Sequence, residues 1–395
     1  MLRNTLAALC LALLPASAPV PPPHGITPAR IDAFVERYRA ATGVPGVAVA
    51  ITKGKEVVHT AGYGRTALGA PMTARTPMAV ASVSKSFTSL AVLRLVEKGA
   101  VELDRPVRRY LPEFTMADPR AAAITVRQLL HQTSGMADSA FHEKSLPQPR
   151  TLQGAVARLK DTGLAAAPGT VFSYHNTNYQ VAARLVEVVS GRPFAAYLRE
   201  QVFLPLGMRD STTIDTDRDL PGSARGHLYV LGRAIALPEP AGFGNGSGGV
   251  ISTAGDLARW LIAQNTGVLS PATVKELRTP SPQDPTYALG WHLDTTRRGT
   301  PVVEHGGDLF TATARQLLMP ESGYGVAVMA NTGMAFADAG TLMDGLVALI
   351  EGDTPYVPSS PPTLLTDLLF VLLALVTAAL GVRGVARSRR WAAVR

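Results

Sequence analysis

The feature of this 395-residue sequence that most restricts its structure is an apolar run near the C-terminus, TLLTDLLFVLLALVTAALGV, from Thr363 to Val382. A helix of this length spans the roughly 30 Å hydrocarbon core of a bilayer. Asp367 is the only charged residue of the run and lies near one end, where it could stay at the interface. We therefore expect a transmembrane helix at 363–382. A buried core helix is the alternative, but it accounts poorly for the residues that follow.

A basic tail, 383–395, follows the apolar run with five arginines and no acidic residue. By the positive-inside rule this tail is cytoplasmic, and the chain before residue 363 faces outward. The tail also supplies most of the formal net charge of +8, because the chain without these arginines and Arg3 carries only +2. The basic balance therefore indicates membrane topology and not nucleic-acid binding. The five residues are Arg383, Arg387, Arg389, Arg390 and Arg395.

The N-terminus has the pattern of an export signal. Residues 1–18 combine a charged start, an apolar run over 6–14 and small residues at 16–18, where a signal peptidase would cut. Cys10 is the only cysteine and lies inside the apolar run. The mature chain would then contain no cysteine, which excludes disulfides, a cysteine nucleophile and thiolate metal sites together.

Between these ends, residues 24–353 are predicted to form one folded domain, since 46% hydrophobic and 17% charged residues suit a packed core. The stretch TPYVPSSPP, 354–362, is predicted to be a linker. Strand patterns stand at both ends of the domain, and helical patterns dominate from about 81 to 265. This order predicts an α+β fold: an antiparallel sheet flanked by helices, with an inserted, mainly helical lobe and a site between the lobes.

The predicted elements follow from hydrophobic periodicity and from helix-capping signals. The β-like runs are 47–51 and 56–63, joined as a hairpin, then 287–293, 301–304, 312–319 and 325–330. The helical runs are 28–43, 82–99, 181–189, 194–203, a helix with the capping box Thr253-x-x-Asp256, and 335–350.

Ser82 and Lys85 stand three residues apart at the head of a largely apolar helical run, AVASVSKSFTSLAVLRLVEKG, 79–99. Residues at this spacing share one face of a helix, so the hydroxyl and the amine can meet. The positive end of the helix dipole and partial burial both favour a neutral amine, which can activate a serine nucleophile. The alternative is a capping serine followed by a solvated lysine, and this short motif alone does not exclude it.

A second motif, Tyr174 and Asn176 in VFSYHNTNY, places a phenol and a carboxamide two residues apart before a helix. A tyrosine held near a lysine can lose its proton more easily and act as a general base. Asn176 can bind a substrate amide. We therefore expect Tyr174 and Asn176 to face the same site as Ser82.

A third motif, His305-Gly306-Gly307, follows the run PVVE and precedes a predicted strand. Two glycines on a strand edge let a substrate approach the backbone closely. The backbone N–H groups of Ser82 and of Asp308, just after the glycines, could hold a developing oxyanion.

The order of the three motifs resembles the serine β-lactamase and penicillin-binding-protein superfamily, whose elements are SxxK, SDN and KTG. The likeness is closest to the class C branch with its related esterases and DD-peptidases, where the middle element is YxN. It covers roughly residues 28–350. Three further stretches look like that family: LLHQTSG at 129–135, PFAAYLREQVFLPLGM at 193–208 and GSGGVISTAGDLARWL at 246–261.

The resemblance implies that Ser82 is the acylated nucleophile, that Lys85 and Tyr174 share the proton transfers, and that Asn176 orients the substrate. Together with the apolar run and the basic tail, it implies a serine hydrolase of the bacterial cell membrane, anchored by a single helix, that acts outside the cell on an ester, an amide or a cell-wall peptide without a cofactor or metal. The alternatives are a β-lactamase proper and a module that binds cell-wall peptide without turnover. A pure binder has no need of all three catalytic groups.

The sequence departs from the family pattern at His305, which stands where the third motif usually has a lysine. A histidine has an unperturbed pKa of about 6.5 and is mostly neutral at pH 7.5. We therefore expect weaker binding of substrates that carry a carboxylate, and a preference for esters or uncharged amides. The alternative is that His305 only fills space and another cation, such as Arg315, binds the carboxylate.

Sequence motifs that would indicate other functions are weaker than this ordered set. A G-x-G-x-x-G spacing at 244–249 matches a dinucleotide fingerprint, but no strand–turn–helix unit surrounds it, so a glycine-rich cleft wall is the better interpretation. No G-x-S-x-G elbow and no H-E-x-x-H pair occurs in the sequence, which counts against an α/β-hydrolase and a zinc site. We expect His131, His175 and His227 to be polar packing or cleft-lining residues.

Overall fold

The computed structural model describes residues 26–334, 337–360 and 363–392. The predicted export signal at 1–18, with Cys10, lies outside the described residues. The strands of the described part are β1 (Gly46–Lys53), β2 (Glu56–Gly64), β3 (Met78–Ala79), β4 (Thr212–Thr213), β5 (Gly226–Val230), β6 (Arg233–Leu237), β7 (Val250–Ser252), β8 (His292–Thr295), β9 (Pro301–Asp308), β10 (Thr313–Met319) and β11 (Tyr324–Ala330).

The helices of the described part are α1 (Pro28–Thr42), α2 (Ser84–Glu97), α3 (Val126–Leu130), α4 (Leu152–Ala157), α5 (Asn176–Ser190), α6 (Phe194–Leu198), α7 (Ala254–Thr266), α8 (Pro271–Leu277), α9 (Asp338–Ile350) and α10 (Leu364–Ala392). A short 3₁₀ turn, Ala81–Val83, leads directly into α2, which therefore begins two residues later than the sequence predicts.

Six strands form one antiparallel sheet in the order β2-β1-β11-β10-β9-β8. The first two strands are the predicted N-terminal hairpin, and the other four come from the C-terminal part of the domain. The helical region from α2 to α8 lies between them in sequence. The predicted α+β fold, an antiparallel sheet flanked by helices with an inserted helical lobe, is confirmed.

The sheet separates two apolar cores, because side chains alternate between the faces of a strand. Along β1, Val47 and Val49 point into the core beneath α1 and α9, whereas Ala48 and Ala50 point into the core that contains α2, α5 and α7. The small alanines leave room for the bulky side chains of the helical side. Both faces of the central strands are thus buried.

Helix α2 crosses the middle of the molecule, and eleven of its 14 residues are buried. Phe87 stacks on Trp260 of α7 with ring centroids 3.9 Å apart. Gln316 of β10 accepts a hydrogen bond from Trp260 Nε1 and donates one to Ser86 Oγ, at 2.8 and 2.9 Å. This chain of contacts fixes the first turn of α2 against the sheet.

Two sequence predictions need correction. Only the last two residues of the predicted run 287–293 belong to a strand, β8 (His292–Thr295), and Tyr287 makes an isolated bridge to His292 instead. In the predicted capping box, Thr253 does cap α7 by accepting from the N–H of Asp256. The Asp256 carboxylate, however, accepts hydrogen bonds from Asp210 N and Ser211 Oγ, because α7 packs against that segment.

The hairpin formed by β5 and β6 lies in the region that the sequence analysis assigned mainly to helices. Its register pairs Leu228 with Ile235 and Val230 with Arg233. Tyr229 lies on the other face of the hairpin and is buried against the domain. The apolar residues on both faces hide the polar and apolar alternation by which a strand is normally recognised.

Helix α10 is long and apolar enough over Leu364–Ser388 to cross a membrane, judged by length and composition, and its apolar window is not buried in the rest of the chain. The helix continues past Val382 into the basic segment. In its first turn, Asp367 accepts a hydrogen bond from the backbone N–H of Leu231 at the tip of the β5–β6 hairpin, at 2.7 Å.

Candidate active site

Ser82 sits on the 3₁₀ turn before α2, and the backbone around it is strained. Ala81 has φ of 48°, in the left-handed region that costs a residue with a Cβ about 1–2 kcal/mol. Strain of this kind persists where the surrounding structure imposes it, and it is common at functional sites. The turn lines a cleft of about 320 Å³, and Ser82 faces that cleft.

Lys85 lies one helical turn further along, fully buried, and its Nζ makes three close polar contacts. It lies 3.0 Å from Ser82 Oγ, 2.8 Å from Asn176 Oδ1 and 3.0 Å from the carbonyl oxygen of Ser247. Two of these partners are pure acceptors here. Ser82 is the only one of the three with a proton to donate, so a neutral Lys85 can accept from the Ser82 hydroxyl.

Burial lowers the pKa of Lys85 to about 7, since the charged ammonium loses most of its hydration. The nearby Glu143 carboxylate opposes this shift, and Lys144 adds slightly to it. A large fraction of Lys85 is therefore neutral at physiological pH. The expectation that partial burial favours the neutral amine agrees with this direction.

Tyr174 is beside Ser82 and Lys85, but its proton is held more tightly than the sequence analysis expected. The Lys85 Nζ lies 4.8 Å from the centroid of its ring, and the hydroxyl hydrogen-bonds with Ser82. Burial raises the pKa of Tyr174, and the bond with Ser82 opposes the shift. The sequence reasoning considered only the neighbouring lysine, whereas desolvation of the phenol itself has the largest effect on this pKa. In the resting site Tyr174 is a phenol.

Asn176 begins α5, and both ends of its carboxamide already have protein partners. Its Oδ1 accepts from Lys85, and its Nδ2 donates to Glu143 Oε1 at 2.7 Å. Thr177 Oγ1 donates to the other oxygen of Glu143 at 2.8 Å. Asn176 therefore orients Lys85 directly, and only its second N–H proton remains for a substrate.

His305 is on β9, only 2% exposed, and its Nδ1 lies 2.6 Å from the carbonyl oxygen of Gly306. A carbonyl accepts, so Nδ1 carries the proton and Nε2 is a bare acceptor, with no hydrogen-bond partner among the described residues. Burial lowers the pKa of His305 well below its usual range, and His292 and Lys85 lower it further. This direction agrees with the expectation that His305 is neutral. Because its pKa is so far lowered, His305 should stay neutral at pH 5.5 as well, where a free histidine would be charged.

The two glycines after His305 were expected to make room for a substrate, but they also make room for neighbouring parts of the protein. A Cβ on Gly307 would collide with the carbonyl oxygen of Val80 and lie 2.9 Å from the backbone nitrogen of Ser82. A Cβ on Gly306 would collide with the guanidinium of Arg315. Gly307 thus lets strand β9 lie directly against the turn that carries Ser82.

Asp308 ends β9 at a free edge, because β8 pairs with β9 only over Pro301–Glu304. The N–H of Leu309 donates to the carbonyl oxygen of Ala312 at 2.8 Å. Hydrogen-bonded and non-hydrogen-bonded pairs alternate along an antiparallel ladder, so Asp308, which faces Thr313, directs its N–H away from β10. This orientation turns the amide toward the side on which Ser82 lies.

The outer rim of the cleft carries carboxylates. Burial, with the nearby charge of Glu239, raises the pKa of Asp217 to about 6. Glu239 accepts hydrogen bonds from Phe310 N, Thr311 N and Thr311 Oγ1, at 2.8, 2.9 and 2.7 Å, which tie it to the β9–β10 turn. Arg315 lies behind the strand and is 3.4 Å from Asp308.

Sequence reasoning missed Glu143, Ser247, Asp217 and Glu239. All four line the cleft. Glu143, Asp217 and Glu239 come from segments whose sequences carry no recognised spacing, and only the fold brings them to the cleft. Ser247 lies inside the recognised G-x-G-x-x-G stretch but was not singled out. The glycine-rich segment around Ser247 was expected to be a cleft wall, and it is one.

His131, His175 and His227 behave as polar packing residues. His131 Nε2, His175 Nε2 and His227 Nδ1 each contact a backbone carbonyl oxygen, at 3.2, 3.0 and 2.9 Å. In the described part of the chain, no group of three or more His, Cys, Asp or Glu side chains is arranged to hold a metal ion.

The chain has recognisable relatives among known proteins. A family model described as Beta-lactamase matches residues 31–344. The chain is 29% identical over 361 residues to penicillin-binding protein 4 of Amycolatopsis lactamdurans, which covers 84% of this chain and 92% of that protein. It is 27% identical over 317 residues, 76% of this chain, to protein flp of Staphylococcus aureus strain MW2. The chain spans only 62% of the length of that second relative.

A solved structure of a related protein has the same fold. The octameric penicillin-binding protein homologue from Pyrococcus abyssi superposes on this fold with a TM-score of 0.71 at 27% sequence identity. The superposition covers 85% of this chain and 79% of the homologue.

Proposed function

Since the chain belongs to the Beta-lactamase family, we propose that it is a serine hydrolase that works through an acyl-enzyme, with Ser82 as the nucleophile. The single observation that carries this proposal is the 3.0 Å contact between Ser82 Oγ and an amine, Lys85 Nζ, whose pKa burial lowers to about 7. An amine that is neutral at working pH can take the serine proton as the hydroxyl attacks a carbonyl carbon.

In the acylation step, the Ser82 hydroxyl gives its proton to Lys85 Nζ and forms a bond to the substrate carbonyl carbon. The N–H groups of Ser82 and Asp308 stabilise the oxyanion of the tetrahedral intermediate. Tyr174, as a phenol, protonates the leaving group, and the Lys85 ammonium returns a proton to Tyr174. In deacylation a water takes the place of the leaving group, with the proton transfers in reverse order.

The substrate class follows from the charges around this centre. Lys85 and His305 are held largely or wholly neutral by burial, and Arg315 lies near Asp308. A substrate carboxylate therefore meets little positive charge from Lys85 and His305. The cleft lining also contains two cations, Lys144 and Arg158, beside the carboxylates Glu143, Asp217, Glu239 and Asp308. These carboxylates are compatible with a neutral or amine-bearing substrate. We propose esters, amides or cell-wall peptides without a carboxylate next to the scissile bond, and weak activity on penicillins.

The same proposal includes a membrane anchor. Residues 24–353 form the hydrolase domain, 354–362 the linker, 363–382 the transmembrane segment and 383–395 the cytoplasmic tail, so the cleft faces the outside of a bacterial cell. A chain ended at Ser360 should be soluble and active, because the predicted domain is left whole. If that truncated chain still sediments with membranes, α10 is not the single anchor.

A fluorophosphonate probe tests the catalytic proposal directly. It should label wild-type protein once, at Ser82, as located by peptide mass spectrometry. Ser82→Ala should lose the label, whereas Ser322→Ala, at an exposed turn far from the cleft, should keep it. Folded wild-type protein, judged by circular dichroism, that never takes the label would instead favour a module that binds without turnover.

A further inference from the structure

The β5–β6 hairpin presents an apolar outer face to solvent. Cross-strand partners share a face, so Leu228, Val230, Ile235 and Leu237 all lie opposite to the buried Tyr229. Val230 is 50% exposed, Ile235 44% and Leu237 36%. A solvated hairpin normally alternates apolar inward residues with polar outward ones. This hairpin has apolar residues on both faces.

The tip of the hairpin continues this surface. Leu231 is 45% exposed at the turn and is held in the left-handed region, with φ of 49°. A contiguous apolar patch of this kind on a folded domain marks an interaction surface. Its charge is one-sided, because 221–238 contains Arg225 and Arg233, both exposed, and no acidic residue.

The hairpin tip is placed next to the first turn of α10. The backbone N–H of Leu231 donates to Asp367 Oδ2 at 2.7 Å, and α10 begins only three residues earlier, at Leu364. A carboxylate at the end of an apolar helix is stable at the water interface and costly inside the hydrocarbon. A bilayer that holds α10 therefore has its surface near Asp367, at the level of the hairpin tip.

We propose that the β5–β6 hairpin rests on the outer leaflet of the bilayer that holds α10, with its apolar outer face in the boundary between headgroups and acyl chains. Arg225 and Arg233 then meet anionic headgroups. Apolar side chains with basic neighbours are the composition by which surface segments bind anionic membranes. This inference rests on the membrane anchor of the proposed function.

The contact brings the cleft close to lipid. The Leu228 side chain lies against the backbone of Gly333: a Cβ added to this glycine would be 2.9 Å from Leu228 Cδ2. Phe310, 43% exposed, lies next along this surface and lines the mouth of the cleft. The protein would thus accept substrates presented at the bilayer surface.

The test uses the full chain, with Cys10→Ser, reconstituted into vesicles of phosphatidylcholine and phosphatidylglycerol. Single cysteines at Val230, Ile235, Lys55 and Leu373 carry an environment-sensitive fluorophore. Lipids with a nitroxide at a shallow or a deep position on the acyl chain then serve as quenchers. Lys55, in the turn of the β1–β2 hairpin, is the matched control, and circular dichroism melts confirm that each labelled protein is folded.

We expect shallow nitroxides to quench labels at 230 and 235 at least about twofold more than the label at 55, and deep nitroxides to quench the label at 373. Equal quenching at 230 and 55, with normal quenching at 373, would overturn the hairpin contact and leave the anchor intact. A blue-shifted but unquenched label at 230 would also overturn it, because a second copy or α10 would then cover the face. Loss of quenching at 373 would refute the anchor, and this inference with it.

Discussion

Burial shifts pKa values in opposite directions at the inner wall of the cleft, where Lys85 and His305 lie, and at its outer rim, where Asp217 lies. On the inner wall, burial lowers the pKa values of Lys85 and His305, so groups that are basic in water become neutral. On the rim, burial raises the pKa of Asp217 to about 6, so this carboxyl group keeps its proton up to a higher pH. The wall gains an amine that can accept a proton, and the rim gains a carboxylate that titrates near neutral pH.

The difference shows that desolvation alone does not define a catalytic base. Lys85 is the proposed base because its Nζ contacts Ser82, and Asn176 and Ser247 hold it there. Asp217 has a shifted pKa but no comparable nucleophile beside it. Mutations on the wall should therefore affect chemistry, whereas mutations on the rim should affect the choice of substrate.

The largest effect is expected for Lys85→Met, which removes the proposed base. The kcat/KM for a p-nitrophenyl ester should fall by about 10²–10⁴-fold. In wild type, kcat/KM should rise with pH around an apparent pKa near 7, as Lys85 loses its proton. Lys98→Met, at the exposed end of the same helix, is the matched control. If kcat/KM of Lys85→Met still rises with pH near 7, the group that titrates is not Lys85.

The same variant has a stability signature. Lys85 takes up a proton near pH 10.5 when unfolded but only near 7 when folded, so wild-type stability rises as the pH increases from 7 to 10.5. Lys85→Met should therefore raise Tm more at pH 6 than at pH 10. An equal change at both pH values would mean that Lys85 is charged in the folded protein.

Tyr174→Phe should have a smaller but still chemical effect, because it removes the proton for the leaving group. We expect a loss of about 10²-fold in acylation, the lower end of the range for general acid help. The loss should shrink for esters with a good leaving group such as p-nitrophenolate. Tyr356→Phe, in the exposed linker region, controls for loss of a hydroxyl. An equal loss for good and poor leaving groups would contradict the role of Tyr174 as acid.

Asp217→Asn should change selectivity by only a few fold. In wild type, the preference for an amine-bearing ester over a neutral one should rise between pH 5 and 7.5, as Asp217 ionises. The variant should show no such rise. Because the folded state keeps this proton up to about pH 6, wild-type stability falls as the pH rises from about 4 to 6, and Asp217→Asn should lose that fall. A rise in preference that survives in Asp217→Asn would place the charge elsewhere, for example on Glu239.

The smallest effect is expected for His305→Lys. The ratio of kcat/KM for a chromogenic cephalosporin to that for the neutral ester should increase at pH 7.5, because a partly charged lysine attracts the carboxylate. The increase should be modest, since burial and the neighbouring Lys85 that lower the pKa of His305 act on any base there. In wild type the ratio should stay flat between pH 7.5 and 5.5 as far as His305 is concerned. An unchanged ratio in the variant would show that position 305 does not set this preference.

The sequence predicted those parts of the fold and site that depend on local spacing. The three-residue interval between Ser82 and Lys85 survives folding because the 3₁₀ turn that carries Ser82 leads directly into α2, which carries Lys85. Glu143 could not be found, since only tertiary packing brings its loop to Asn176. The direction of the Tyr174 pKa was expected wrongly, because spacing reveals a neighbouring lysine but not the desolvation of the phenol itself, which raises this pKa. The β5–β6 hairpin escaped notice because both of its faces are apolar.

Glu239 connects the proposed catalytic cleft with the hairpin that is proposed to bind lipid. It follows β6 by two residues, and it binds the backbone of the turn that begins immediately after Asp308. If the hairpin moves on the bilayer, the displacement would therefore be transmitted to the strand end that carries the proposed oxyanion donor. Lipid binding and substrate binding then become linked equilibria, and thermodynamic reciprocity requires each to change the affinity of the other by the same factor. Vesicle composition would act as an effector of the enzyme.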